Sequence, residues 1–238
     1  MRETDRGMIT ATQVIEIGVS CNISLEAMAH EIEMRRASRM QSQTAGAEDE
    51  QVFEIWRPIF QELFSFAPDF SLIKIPQAQG NLVLPVLMPQ ELTRRKLGFQ
   101  ERIFGACKEL FPSWKGVDSL DESVTHNDRT PKDGSYAVRV GNHFEATDGD
   151  EALKGLSAQA IWQRHIATIT LAERMMLELY KFRTVQKHLD KYNRTLCSGS
   201  RDSDGFVPFA DWGGGGFRVG WCYPEGVYDS LRSRVVVF

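Results

Sequence analysis

Chemistry would start from cysteine, histidine and acidic side chains, and their spacing in this chain supports little of it. Cys21, Cys107, Cys197 and Cys222 lie far apart, with no Cys-x-x-Cys pair and no cysteine–histidine cluster at zinc spacing. Buried free thiols are the expectation, and a Cys197–Cys222 bridge stays open. His30, His126, His143, His165 and His188 never recur at the three- or four-residue spacing that puts two ligands on one helix face. Ser200, in "SGSRD", does not fit the Gly-x-Ser-x-Gly nucleophile elbow, and no strand-to-helix turn follows it. The run "WGGGGF" (Trp212 to Phe217) lacks the Lys-Ser/Thr ending that would make it a phosphate loop. "THNDR" (Thr125 to Arg129) and "DGDE" (Asp148 to Glu151) gather polar groups, which turns and helix caps explain without calcium. The expectation is therefore no catalytic residue, no metal and no cofactor.

The strongest signal is compositional. The chain holds 9 Lys, 8 Met and 12 Gln, and none of these 29 falls between Arg194 and Phe238. Proportional use would place roughly 5 there, against the average composition of the chain. A turn-rich β segment disfavours these residues and accounts for part of the gap. A second cause is genetic. If AAC or AAT codons had their adenines replaced freely, Lys, Met, Gln, Glu and Trp could not arise. The tail obeys that restriction except at Trp212, Trp221 and Glu225. The two tryptophans then read as fixed positions, and Gly213 to Gly216 as tolerated positions that are blank in this copy.

The elements that must position this tail are legible in outline. "SLEAMAHEIEMRRASRM" (Ser24 to Met40) has apolar residues at helical spacing behind a capping serine. "QSQTAGAEDE" (Gln41 to Glu50) reads as a loop or linker. "QVFEIWRPIFQELFSF" is helical, with Pro58 as a kink or break. "SLIKIP" and "NLVLPVLMP" are strands or extended connections, and Pro89 to Pro112 is a helix weakened at Gly98. The polar run Lys115 to Gly134 reads as a domain boundary. "SYAVRV" (Ser135 to Val140) alternates as a strand does. Thr170 to Leu189 is the clearest helix, with capping-box spacing at Thr170 and Glu173 and a stripe of Leu171, Met175, Leu179, Phe182 and Val185. Short strands follow, among them "FRVGW" and the closing "RVVVF". The expected class is α+β: a mostly helical region at 1–114, then a domain at 115–238 with a variable tail at 195–234.

The tail resembles the variable proteins of diversity-generating retroelements, whose C-terminal region has a C-type-lectin fold related to formylglycine-generating enzymes. "CSGSRDSDGFVPFADW", "FRVGWCYP" and "DSLRSRVVVF" carry the resemblance through the ordered frame Gly-Ser-Arg, Val-Pro, Trp, Trp and Leu-Arg-x-Arg. It extends upstream through "NDRTPKDGSYAVRV" and "TLAERMMLELYKF", about the last 120 residues. It implies small antiparallel sheets, with the terminal strand Ser233 to Phe238 paired to Ser135 to Val140 and the Thr170 helix packed beneath. The calcium-binding Glu-Pro-Asn and Trp-Asn-Asp triplets of sugar-binding lectins are missing, so calcium-dependent sugar binding is not implied.

On that resemblance the protein is a non-enzymatic, receptor-like binder of a ligand expected to be a protein. Asp211, Gly213, Gly214, Phe217, Arg218, Cys222, Tyr223, Tyr228 and Asp229 would form the variable contact face. Trp212, Trp221, Arg232 and Arg234 would be scaffold. Aromatic side chains offer contact area at low entropic cost, and charges offer complementarity. Two alternatives stand beside it. One is a formylglycine-generating type of enzyme using Cys197 or Cys222, although that chemistry needs a close cysteine pair. The other is a partner- or nucleic-acid-binding module using "MRRASR" and "TRRK" in the helical half. A net charge of −4 and a pI near 5.8 disfavour nucleic acid. No apolar run is long enough to span a membrane, and the first residues lack a signal-peptide core. A cytoplasmic or virion-associated protein is expected, of unassigned oligomeric state.

Overall fold

The computed structural model describes residues 25–94, 98–149 and 153–238. Cys21, the N-terminal stretch read for a signal peptide, Arg95 and Lys96 of "TRRK", and the last two residues of "DGDE" lie outside them. The chain divides into two compact units between Gln51 and Val52. Helix α1 (Leu25–Phe64) runs across that division without a break at Pro58. The expected linker at 41–50 is helical, because its Ala, Gln and Glu favour helix and its single Gly46 costs only about 1 kcal/mol.

The second unit, Val52–Phe238, is mixed α+β. After α1 come β1 (Leu82–Met88), α2 (Phe99–Leu110), β2 (Ser113–Lys115), α3 (Leu120–Ser123), β3 (His126–Asn127) and β4 (Tyr136–Gly141). Then follow α4 (Ala158–Gln163), α5 (Leu171–Val185), β5 (Arg194–Leu196), β6 (Ser200–Arg201), β7 (Val207–Gly213), β8 (Gly216–Cys222), β9 (Leu231–Arg232) and β10 (Val236–Val237). The boundary expected at 114/115 is not where the chain divides. Lys115 itself belongs to β2, which pairs parallel with β8, and β3 pairs with β6, so the polar stretch is stitched into the tail.

Three small sheets result, in the orders β1-β4-β10, β2-β8-β7-β5-β9 and β3-β6. The terminal strand pairs antiparallel with β4, Val236 opposite Val140 and Val237 opposite Arg139. β1 is an edge of its sheet, which is where a strand tolerates Pro85. Pro89 to Pro112 is not one helix. A 3-10 turn at Gln90–Thr93 comes first, and α2 starts after Gly98. Asp121 reaches over from α3 and accepts from the amides of Gln100 (3.2 Å) and Glu101 (2.9 Å), and its carboxylate fills the space a Cβ on Gly98 would need.

Helix α5 is the pillar of the unit. Thr170 Oγ1 accepts from the Glu173 amide (3.2 Å), and Glu173 Oε2 accepts from the Thr170 amide (2.8 Å), a reciprocal capping box. The helix is buried on all sides over 171–179, charged residues included, while Val185 at the end of the expected stripe is exposed. It packs against α2, β1 and β7. Trp56 closes the other side of this core, tilted against Tyr180 and donating Nε1 to the Pro85 carbonyl at 3.3 Å.

Candidate functional site

The tail folds as a β7–β8 hairpin whose register sorts its side chains. Trp212 opposes Phe217, Ala210 opposes Val219 and Pro208 opposes Trp221. Because neighbours on a strand face opposite ways, these six share the core-facing side. Phe209, Asp211 and Gly213 share the other side with Gly220, Arg218 and Gly216.

The core-facing set is held firmly. Phe217 is completely buried among Phe104, Phe111 and the Arg174 guanidinium. The Trp212 ring is half-buried, stacked on His188 (3.3 Å between centroids, 12°) and met edge-on by Phe111. Trp221 is half-buried, packed against the same core and also lining the cleft described below. The expectation that Phe217 contacts ligand is therefore wrong. It sits on the inward face, two residues from Val219.

A buried ionic hub ties the tail to α5. Asp190 accepts from Arg174 Nε (3.1 Å) and Nη2 (2.9 Å), Arg234 Nη2 (2.8 Å), Thr195 Oγ1 (2.5 Å) and the Ala146 amide (2.8 Å). Burial pushes this carboxyl up, but the Arg234 and Arg174 guanidiniums outweigh it and hold it below the usual carboxylate range. Arg234 also donates to Thr195 Oγ1 and to the carbonyls of His143 and Phe144, so it is scaffold throughout. Arg232 donates to the Leu231 carbonyl (2.7 Å) and more weakly to that of Tyr228, bracing the last turn.

The glycines are not blank. Gly214 and Gly215 both have positive φ (63° and 84°) and form the two-residue hairpin turn that matches strand twist. A Cβ on Gly213 would collide with the Arg218 guanidinium, and one on Gly216 would stand 2.7 Å from the Pro112 carbonyl oxygen. The reading of Gly213 to Gly216 as freely tolerated positions fails for this backbone. Gly213 and Gly214 shape the face without offering a side chain to a ligand.

Beside the hairpin lies an aromatic cleft of about 440 Å³, lined by Phe206, Phe209, Trp221, Tyr223 and Tyr228 with Arg194 among them. Arg218 forks Asp211 through Nε (2.9 Å) and Nη2 (2.7 Å), and Arg194 reaches the same carboxylate at 3.2 Å. Asp211 is buried beneath them, so it serves as an anchor for the two arginines and not as the direct contact expected of it. The Arg194 guanidinium lies 5.0 Å over the Phe209 ring. That ring fills the space above Gly220, where a Cβ would lie 2.6 Å from it. Phe206 packs on Tyr223 at 4.8 Å, and Tyr223 and Tyr228 are 58% and 53% exposed at the cleft. Asp229 is exposed beside Tyr228. Helix α4 covers the rest of this sheet face, with Ala158 packed on Leu196, Val207 and Leu231.

Arg194, Phe206 and Phe209 belong to this cleft although the sequence reading passed over them. Phe209 was available from strand period, two residues before Asp211. Arg194 and Phe206 depend on β5 and the 202–206 turn lying beside the hairpin, which no local pattern announces.

The two tail cysteines are separate free thiols. Cys197 is fully buried, and burial pushes its thiol well up; burial also pushes Cys222, half-buried, up to about 11. Among the described residues, no group of three His, Cys, Asp or Glu side chains is placed to hold a metal ion, and no helix is long and apolar enough to cross a membrane. The chain matches no family model, no curated protein and no solved structure.

Proposed function

We propose that the chain is a diversified ligand-binding protein, a variable protein of a diversity-generating retroelement, whose C-terminal part has a C-type-lectin-like fold. One observation carries the proposal. The two strand residues of the tail that adenine replacement cannot produce, Trp212 and Trp221, both lie on the core-facing side of the hairpin. The side chains on its other side that are not buried (Phe209, Arg218 and Cys222) belong to the set that replacement can produce. A frame that cannot vary then holds a face that can.

Three further features support the reading. The pairing of β10 with β4 closes the last strand onto an earlier one, as a lectin-type domain requires. The Asp190 hub fixes the tail backbone whatever the solvent face carries. The cleft combines exposed tyrosines with Arg194, residue types that dominate binding hot spots. The thiols speak for binding over formylglycine-type catalysis, since neither is paired nor poised as a thiolate. The ligand is a protein surface that presents acidic groups to Arg194 and Arg218 and apolar groups to the aromatic cleft. Panning the intact chain against a displayed peptide library tests this. Enriched sequences should carry Asp or Glu beside an apolar residue and should be lost on Arg218→Ala with Tyr228→Ala. Enrichment that both substitutions leave unchanged would place binding elsewhere.

A further inference from the structure

A second cleft, larger and apart from the hairpin, lies between the β3–β6 ribbon and the segment after α4, and has a volume of about 740 Å³. That is within the range of small-molecule sites. One wall is apolar, built from Trp162 and Phe238. Arg129, Arg201, His126 and His165 also line the cleft, Arg129 4.7 Å over the Phe238 ring, with Asp128 as the one acidic lining residue among those described.

These cations differ in what they already hold. Arg129 is committed: it forks Glu173 at 2.8 and 2.9 Å and donates to the Thr168 carbonyl. His126 Nε2 lies 3.2 Å from Asp128. Arg201 is the exception. Its guanidinium donates no hydrogen bond to any described residue, its nearest acid is Asp128 at 3.8 Å, and it lies 5.1 Å over the Trp162 ring with its side chain about one-third exposed. Arg174, Arg218 and Arg234 direct their donors at carboxylates or carbonyls. Arg201 instead presents a planar fork of donors to the cleft, with the Asp128 carboxylate beyond hydrogen-bond distance. Its backbone is not free to drift, because Ser200 accepts from the Leu171 amide (2.9 Å) and donates to Asn127 Oδ1 (2.6 Å), and a Cβ on Gly199 would meet the Thr168 carbonyl oxygen at 2.7 Å.

We propose that this cleft binds an aromatic phosphomonoester. Its phosphate would be taken by the Arg201 fork with help from His165, and its ring would lie against Trp162 and Phe238. Phosphate fits the fork bidentately and leaves a third oxygen for a histidine, whereas a carboxylate has no third oxygen to offer. This site does not depend on the hairpin cleft or on diversification, and it can stand or fall alone.

The test is calorimetric titration of the intact chain with phenyl phosphate, inorganic phosphate, benzyl alcohol and phenylacetate. Phenyl phosphate should saturate one site, with each of the other three at least about tenfold weaker. Arg201→Ala should weaken phenyl phosphate by about tenfold or more, with Arg164→Ala, outside the cleft, as the unaffected control. Arg201→Gln, which keeps the stem over Trp162, should show the same loss if the alanine variant folds poorly. Absence of saturable binding, equal affinity in the Arg201 variants, or tighter binding of phenylacetate would each overturn the assignment.

Discussion

Arg234 donates Nη2 to Asp190 Oδ1 at 2.8 Å across a separation of 44 residues, with both side chains essentially free of solvent. This contact joins the last turn of the tail to the loop leaving α5. Removing one partner of a buried ion pair leaves the other charge uncompensated. Asp190→Asn should therefore destabilise the protein by about 3–5 kcal/mol, measured by urea denaturation. A loss below about 1 kcal/mol would mean that the hub does not hold the tail.

Acid should weaken the fold before the carboxylates titrate. Burial first, and then the neighbouring Arg234, hold the His143 imidazole down from its ordinary 6.5 to about 4. The unfolded chain takes up this proton below about 6.5 and the folded chain does so only near 4, so stability falls as the pH drops through that window and this contribution levels off beneath it. Asp190, held low, adds a further loss at lower pH still. Denaturant midpoints measured from pH 7 downward should show the first decline in the parent and a shallower one in His143→Gln.

The hairpin turn should reject side chains unequally. Gly214→Val or Gly215→Val places a β-branched residue at positive φ and should cost about 1–2 kcal/mol. Gly214→Asn should cost less, since asparagine tolerates that region. Thermal melts of the three variants check this ordering.

Inward and outward residues of one strand pair should part company. Phe217→Ala should cost about 3–5 kcal/mol, as a fully buried aromatic does. Tyr223→Ala and Tyr228→Ala, each more than half exposed, should change stability by no more than about 0.5 kcal/mol while removing ligand contact. Chemical denaturation separates the two classes.

Local signals in the sequence were reliable where the physics is local. The Thr170/Glu173 cap and the strand read at Ser135 to Val140 both follow from neighbours within a few residues. Phe217 is misplaced because strand period gives two faces without saying which one is buried, which depends on α5 and Phe111; Asp211 lies on the outer face but is covered by Arg218 and Arg194, one of them distant in sequence. The glycine run misled for a related reason. Its demand comes from the Pro112 carbonyl and the Arg218 guanidinium, partners that only the fold supplies. Nothing local marks Asp190 and Arg174 as buried, because their burial depends on three segments meeting.

The most direct measurement is DNA sequencing of the 195–234 region in sister copies of this gene, together with any neighbouring template repeat. The expected result is substitution confined to codons templated by AAC or AAT. The substitutions should cluster at the cleft positions Phe206, Phe209, Tyr223 and Tyr228 and at the nearby Arg218 and Asp229, with Trp212, Trp221 and Arg234 constant. Substitutions spread evenly over inward and outward positions, or third bases inconsistent with that codon ancestry, would contradict the assignment of this tail as a diversified binding face.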